Sequence, residues 1–326
     1  MLGITIPSGI APYQNFSGGI MTAQEQEQFN VTKTMARIRS YGGSTGHACM
    51  PGCLVKCSNI VHDENGNYLT ASFEYETIEL FGPNCKIFDI DVIARLDRFC
   101  DDFGFDTIEL AVTLGLYFDS GKLEWSDGAK ALALFESFYA GGELADDFGM
   151  GAQRLGEKYG VRRIPAVKSQ AMPAYDPRNL KGTGTVYALS TMGADHTCGN
   201  SIVSTELKGT EKVGSLEFAT SIQSSMAACD SNMCRFSWVA TMAEINEYVN
   251  AINAAYGFEW TAEDVIGMGA KTIATEREFN RRAGFTPAED ALPGFFYTEP
   301  SSATGAIFDI TVDEIAEKWH KQQLRS

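Results

Sequence analysis

The stretch HACMPGCLVKC, residues 47–57, is the feature around which the rest of this chain is interpreted. It places Cys49, Cys53 and Cys57 four positions apart around a Pro-Gly turn, and such a turn can direct three thiolates towards one point. Thiolates are soft ligands that favour zinc, copper(I) and iron–sulfur clusters. Because three clustered cysteines and one distant cysteine commonly hold a 4Fe-4S cluster, the stretch predicts an iron–sulfur site.

Two other interpretations of the cysteine stretch are weaker. A structural zinc site usually takes its ligands from C-x2-C pairs, and the sequence contains no second pair. Radical chemistry would require C-x3-C-x2-C, whereas three residues separate Cys53 from Cys57, and the alternating βα pattern of a barrel is absent. The fourth ligand would come from Cys229 or Cys234. Cys85, Cys100 and Cys198 are weaker candidates, and Cys100 is explained as a small buried apolar residue, as single cysteines on helices commonly are.

The composition limits the classes of protein to which this chain can belong. The chain has 326 residues, of which 44% are hydrophobic and 21% charged, as expected for a globular protein of about two domains. A formal charge of −16 argues against binding to nucleic acid or to anionic membranes. We expect no membrane span and no secretory signal, because no run of about 18 apolar residues or basic n-region is present. Without an export signal, the eight cysteines are expected to stay as thiols, which indicates a protein of the reducing cytoplasm.

Helical patterns dominate, so the predicted fold class is mainly α, with a small β-hairpin near residues 60–76. Thr22 and Glu25 form a capping box that starts a helix extending to Tyr41. Residues 63–67, DENGN, give the hairpin turn, and residues 164–184 read as a long ordered loop. We predict two helical domains, residues 1–160 and 161–326. Further helices are predicted at residues 89–103, 107–118, 126–139, 143–159, 217–228, 242–256, 262–283 and 311–324.

Three polar segments carry possible chemistry. In FEYET, residues 73–77, strand alternation would send Glu74 and Glu76 to one face, although a solvated edge strand would also explain them. In CDDFGFD, residues 100–106, carboxylates surround Gly104, and helix capping alone would explain Asp106. MGADH, residues 192–196, ends on one of only four histidines.

Seven segments, in order along the chain, resemble the aldehyde ferredoxin oxidoreductases, a family that carries tungsten or molybdenum on two pterins beside a 4Fe-4S cluster. Several motifs in the family's order are more specific than any one of them alone. The segments are GIAPYQNF (9–16), HACMPGCLVKC (47–57), FEYETIELFGPN (73–84), CDDFGFDTI (100–108), KSQAMPAYDPR (168–178), MGADH (192–196) and REFNRRAGFTPAEDALP (277–293).

The sequence departs from the family pattern at three places. It has no counterpart of the strand-rich N-terminal domain that covers the pterins, so the resemblance is to the second and third domains. CDSNMC, residues 229–234, corresponds to the family's D-x-x-G-L-C, with Asn232 in place of the glycine and the aspartate either shifted to Asp230 or replaced by Cys229. Arg95 stands where some members bind iron through a glutamate, so no such iron is expected.

The resemblance implies an oxidoreductase that converts aldehydes to carboxylic acids and passes electrons to ferredoxin. It implies that Glu76 is the general base and that His196 donates a hydrogen bond or shuttles a proton. The implied pterin-binding residues are Asp101, Gly104, Asp106 and Asp230. The implied 4Fe-4S ligands are Cys49, Cys53, Cys57 and Cys234.

Two other functions stay open at this point. The chain could be a truncated or split-gene fragment that binds a cluster but lacks turnover alone. It could also be the tungsten subunit of a complex like the aryl-thioester reductases. The expected partners are a ferredoxin-like electron carrier and either a chain that supplies the N-terminal domain or a second copy of this chain.

Overall fold

The computed structural model describes residues 1–204, 207 and 209–323, and it divides the chain into two compact units. Unit 1 comprises Met1–Leu180 and Leu292–Asp309, and unit 2 comprises Lys181–Ala291 and Ile310–Ser326. The domain boundary near residue 160 remains a prediction from the sequence. The mainly α fold class is confirmed, since the strands among the described residues form only two small antiparallel sheets. Within the described ranges, none of the helices has the length and apolarity needed to cross a membrane.

Unit 1 contains most of the short helices and both sheets. Its helices are α1 Leu2–Thr5, α2 Ala23–Gln28, α3 Val31–Ile38, α4 Tyr75–Phe81, α5 Ile90–Phe103, α6 Thr107–Asp119, α7 Gly128–Ser137, α8 Glu143–Gly149, α9 Ala152–Lys158 and α15 Phe295–Thr298. Its strands are β1 Ser44–His47, β2 Ser58–His62, β3 Tyr68–Ala71, β4 Ala166–Val167 and β5 Gln170–Ala171.

The predicted hairpin is part of a three-stranded antiparallel sheet in the order β1-β2-β3. Asp63 fixes the β2–β3 turn, because one oxygen of its carboxylate accepts hydrogen bonds from the N–H groups of Asn65 and Asn67 at 2.9 and 2.8 Å. Gly66 takes the left-handed φ of 81° that the turn needs. The pairing of His47 with Ser58 joins β1 to β2, so the cysteine stretch forms the loop between these strands.

Local capping starts several helices where the sequence predicts, whereas the predicted helices 143–159 and 242–256 are each interrupted and the helix predicted from residue 217 begins at Ser215. Thr22 and Glu25 form the expected capping box. Asp106 accepts a hydrogen bond from the N–H of Glu109 at 2.8 Å and begins α6. The prediction of one helix from Thr22 to Tyr41 is wrong, because the structure has two helices there, α2 and α3. The side chain of Asn30 accepts a hydrogen bond from the N–H of Lys33 and so starts the second helix.

The predicted strand at residues 73–77 is also wrong. β3 ends at Ala71, and Glu74 is the N-cap of α4, so Glu74 and Glu76 do not alternate along a strand. The predicted loop 164–184 contains the β4–β5 hairpin and ends at Lys181, where the next helix begins.

A buried ion pair anchors the end of that loop within unit 1. Arg178 is fully buried, and its guanidinium lies 2.5 Å from the carboxylate of Asp176. It also donates to the carbonyl of Phe16 at 2.7 Å and lies over the ring of Phe296. Arg178, near the end of the loop, therefore contacts Phe16 near the start of the chain. It also contacts Phe296 in the segment Leu292–Asp309, which belongs to the same unit.

In its described part, unit 2 contains helices joined by loops and no strand. Its helices are α10 Lys181–Leu189, α11 Ser215–Asp230, α12 Trp238–Ala243, α13 Ile245–Tyr256, α14 Ala262–Arg282 and α16 Val312–Gln323. The last residue of the predicted helix 311–324, Leu324, lies outside the described residues. The core packs Met226, Ala228, Cys229, Trp238, Val249 and Val265 together.

Candidate functional site

The loop between β1 and β2 carries the three clustered cysteines in unit 1. Cys49 is exposed, Cys53 and Cys57 are half-buried, and none of the three forms a disulfide. The N–H of Lys56 donates to the sulfur of Cys53 at 3.4 Å. That hydrogen bond is the main cause of a lowered pKa at Cys53, with a smaller contribution from the thiol of Cys49. A lowered thiol pKa favours the thiolate, which is the form that binds metal.

The chemistry of these donors fits a soft metal or an iron–sulfur cluster. Among the residues that the structure describes, however, no group of three or more histidine, cysteine, aspartate or glutamate side chains converges as a metal site would require. The predicted fourth ligand, Cys234, is exposed just beyond the end of α11 in unit 2. The complete set of four sulfurs therefore remains a prediction.

The predicted pterin-binding residues of unit 1 lie at the corner between α5 and α6. Asp101 is exposed on the last turn of α5, and Gly104 ends that helix with a left-handed φ of 71°. Asp106 follows as the exposed N-cap of α6. Ionised carboxylates only accept hydrogen bonds, so two exposed ones around an open glycine turn fit the ring N–H groups of a pterin.

A buried carboxylate, Asp97, lies behind this corner and was missed by sequence reasoning. The hydroxyl oxygen of Thr70 lies 2.5 Å from an oxygen of Asp97 and 3.3 Å from an oxygen of Asp101. Burial raises the pKa of Asp97 to about 7; Thr70 opposes the rise, and the nearby carboxylates of Asp101 and Glu74 add to it. The signal in the sequence was the spacing, since Asp97 precedes Asp101 by one helical turn.

The candidate general base, Glu76, lies in the first turn of α4. One oxygen of its carboxylate accepts a hydrogen bond from the N–H of Ala174 at 2.7 Å. On the neighbouring residue, the hydroxyl of Tyr75 donates to the carbonyl of Ala174 at 2.8 Å. The segments FEYET and KSQAMPAYDPR, nearly one hundred positions apart, therefore meet in unit 1, and their contact fixes where the carboxylate of Glu76 lies.

A second carboxylate, Glu79, follows Glu76 by one helical turn. It is completely buried, and neither oxygen of its carboxylate has a hydrogen-bond partner among the described residues. Burial raises the pKa of Glu79 well above its ordinary value, and the charge of Glu76 raises it further. Sequence reasoning missed this residue, although its i+3 spacing from Glu76 was visible.

The candidate residues of unit 2 are His196, Asp230 and Cys234. His196 is half-buried and follows Asp195, a buried carboxylate that accepts a hydrogen bond from the N–H of Thr197 at 2.7 Å. Asp230 is the last residue of α11; burial raises its pKa, and the charge of Asp195 adds to the rise. The unit thus brings Asp195 and Asp230 within electrostatic range of each other.

Comparison with known proteins gives the family. A family model described as "Aldehyde ferredoxin oxidoreductase, domains 2 & 3" matches residues 1–323. The chain is 28% identical to the tungsten-containing aldehyde ferredoxin oxidoreductases of Thermococcus kodakarensis and Pyrococcus furiosus; each alignment covers 92% of this chain and 52% of the relative. The chain therefore spans about half the length of these curated relatives. Because the match covers nearly the whole chain, the protein belongs to the aldehyde ferredoxin oxidoreductase family, matching its second and third domains.

Proposed function

We propose that this chain forms the catalytic part of a tungsten- or molybdenum-pterin enzyme that oxidises aldehydes to carboxylic acids with a ferredoxin-like electron acceptor. The observation that carries the proposal is the contact of Glu76 with the N–H of Ala174 at 2.7 Å. This contact joins two family-like segments around one carboxylate, which is what a positioned catalytic base requires.

The proposed cofactors are a tungsten (or molybdenum) bis-pterin and a 4Fe-4S cluster. When bound, they would accept the two electrons that the reaction releases and pass them on singly. The pterins would be held by Asp101, Gly104, Asp106 and Asp230. The cluster would be held by Cys49, Cys53, Cys57 and Cys234. The lowered pKa of Cys53 and the exposed carboxylates at the α5–α6 corner support these roles.

The residues of the chain would handle protons. Oxidation of an aldehyde by water to a carboxylic acid releases two protons and two electrons. Glu76 would accept a proton from the attacking water, and the backbone N–H of Ala174 would hold its carboxylate in place. His196 would donate a hydrogen bond to the substrate oxygen or shuttle a proton, since a histidine changes charge near physiological pH.

We further propose that the chain acts together with a partner, which would be a chain that carries an N-terminal covering domain or a second copy of this chain. A fragment that binds a cluster without turnover, and a tungsten subunit of an aryl-thioester reductase-like complex, are the competing outcomes. A cytoplasmic location is part of the proposal, and it is consistent with eight cysteines of which none forms a disulfide.

The test is anaerobic purification of the chain with whatever chains accompany it, followed by metal and pterin analysis and an aldehyde assay with ferredoxin. Glu76→Gln should lower kcat by about 100-fold or more while the metal and pterin contents stay unchanged. The matched control is Glu74→Gln, because Glu74 precedes the same helix and its side chain makes no capping hydrogen bond. Normal turnover of Glu76→Gln with full metal content would remove Glu76 from the chemistry. Aryl-thioester reduction without aldehyde oxidation would favour the reductase-like complex.

A further inference from the structure

We propose that Glu76 and Glu79 work as one carboxyl pair, in which the buried Glu79 stays a neutral carboxylic acid and leaves the negative charge on Glu76. The inference rests on the proposed role of Glu76 as a base and adds a residue that limits the pH range over which Glu76 can work. Glu79 would not touch the substrate. It would act through Glu76, and its ionisation would set the upper pH limit of the site.

The geometry of α4 supplies the first argument. Residues three apart on a helix lie on the same face, so the carboxyl groups of Glu76 and Glu79 are neighbours. Glu76 is only partly buried and accepts the N–H of Ala174, whereas Glu79 is completely buried. Ionising two neighbouring carboxyl groups is unfavourable because their negative charges repel each other. The carboxyl group that is more buried and has fewer hydrogen-bond donors keeps its proton.

The surroundings of Glu79 identify it as the protonated partner. Neither of its oxygens has a hydrogen-bond partner in the described part of the chain, so nothing found there compensates an ionised form. The titratable groups that act on it are the carboxylate of Glu76, the phenol of Tyr75 and the amino group of Met1. The amino group alone favours the ionised form, and burial outweighs it as the largest influence on the pKa of Glu79.

A consequence follows for the behaviour at high pH. When the pH rises far enough to remove the proton of Glu79, a second negative charge is forced into a buried site beside the first. Because nothing described compensates that charge, α4 should lose its packing and Glu76 its fixed position. Activity and folding stability should therefore fall together at alkaline pH, through a single ionisation.

Infrared difference spectroscopy of the chain tests the protonation state without any cofactor. The carbonyl stretch of protonated carboxylic acids should be present at pH 7 in the wild type and shift in D2O. Glu79→Gln should remove the share of this band that belongs to Glu79, while the share of Asp97, whose pKa is about 7, stays. The share of Glu79 should remain in Glu74→Gln, which removes a half-buried carboxyl just before the same helix. The proposal is overturned if Glu79→Gln leaves the neutral-pH spectrum of protonated carboxyl groups unchanged.

The pH dependence of activity is the second readout. Glu79→Gln should keep kcat within about twofold at neutral pH, keep the acidic limb of the profile and lose the alkaline limb. Glu79→Leu should behave in the same way. It provides the same test if the Glu79→Gln variant does not fold. An unchanged alkaline limb in both variants would overturn the proposal. Normal turnover of Glu76→Gln, together with the expected infrared result, would instead refute the proposed function and leave the protonation state of Glu79 established.

Discussion

Replacement of Asp97 by asparagine should make the protein more stable at neutral and alkaline pH. Asp97 is only 2% exposed and sits beside Asp101, with Thr70 as its hydrogen-bond donor. Burial raises its pKa from 3.8 to about 7. Asparagine keeps the size of the side chain and an oxygen that can accept from Thr70, but it carries no charge at any pH.

The sign and size of this stability change follow from the difference in proton binding by Asp97 between the folded and the unfolded chain. Because the pKa of Asp97 is higher in the folded than in the unfolded chain, its contribution to stability is fully present below pH 4 and is lost as the pH rises through about 7. The difference between 3.8 and about 7, at about 1.36 kcal/mol per pH unit, corresponds to about 4 kcal/mol at alkaline pH. Between pH 5 and pH 8 the change should be about 3 kcal/mol.

The assay is denaturant unfolding of wild type and Asp97→Asn at several pH values from 5 to 8.5. The difference in the free energy of unfolding, variant minus wild type, should increase by about 3 kcal/mol across this pH range. The control is Asp102→Asn, because Asp102 is an exposed carboxylate on the same helix whose ion pair with Arg98 is itself exposed. Its effect should stay within about 1 kcal/mol at every pH. Parallel pH curves for wild type and Asp97→Asn would refute the reasoning.

Two further predictions concern the buried ion pair and the cysteine loop. Arg178→Met should lower the free energy of unfolding by about 3–5 kcal/mol, because it leaves the buried carboxylate of Asp176 without its partner. Adding Asp176→Asn removes that charge and should restore part of the stability. A double variant that is no more stable than Arg178→Met would contradict this explanation. Cys53→Ala should lower the iron content of anaerobically purified protein by at least half, whereas Met50→Ala in the same exposed loop should leave it unchanged. Equal iron contents in these two variants would exclude Cys53 as a ligand.

Features that depend on neighbouring residues were readable from the sequence. Asp63 closes its turn by bonding to backbone groups two and four positions away, and Thr22 caps a helix through a residue three positions away. Such contacts form wherever the local residues allow them, so the caps, the hairpin and the helical character needed no knowledge of the rest of the chain. The order of the motifs likewise indicated the family.

Only the tertiary structure decided which of the carboxylates are buried and what they meet. Glu76 touches Ala174 across 98 positions of sequence, and Asp97 meets Thr70 across 27. The strand expected at residues 73–77 became the start of a helix, which placed Glu79 in the interior. Sequence spacing puts two carboxyl groups on one face of a helix, but the cost of ionising either depends on the groups that distant segments bring against that face. That cost, which sets whether a carboxyl group holds a proton or a charge, is a property of the folded chain.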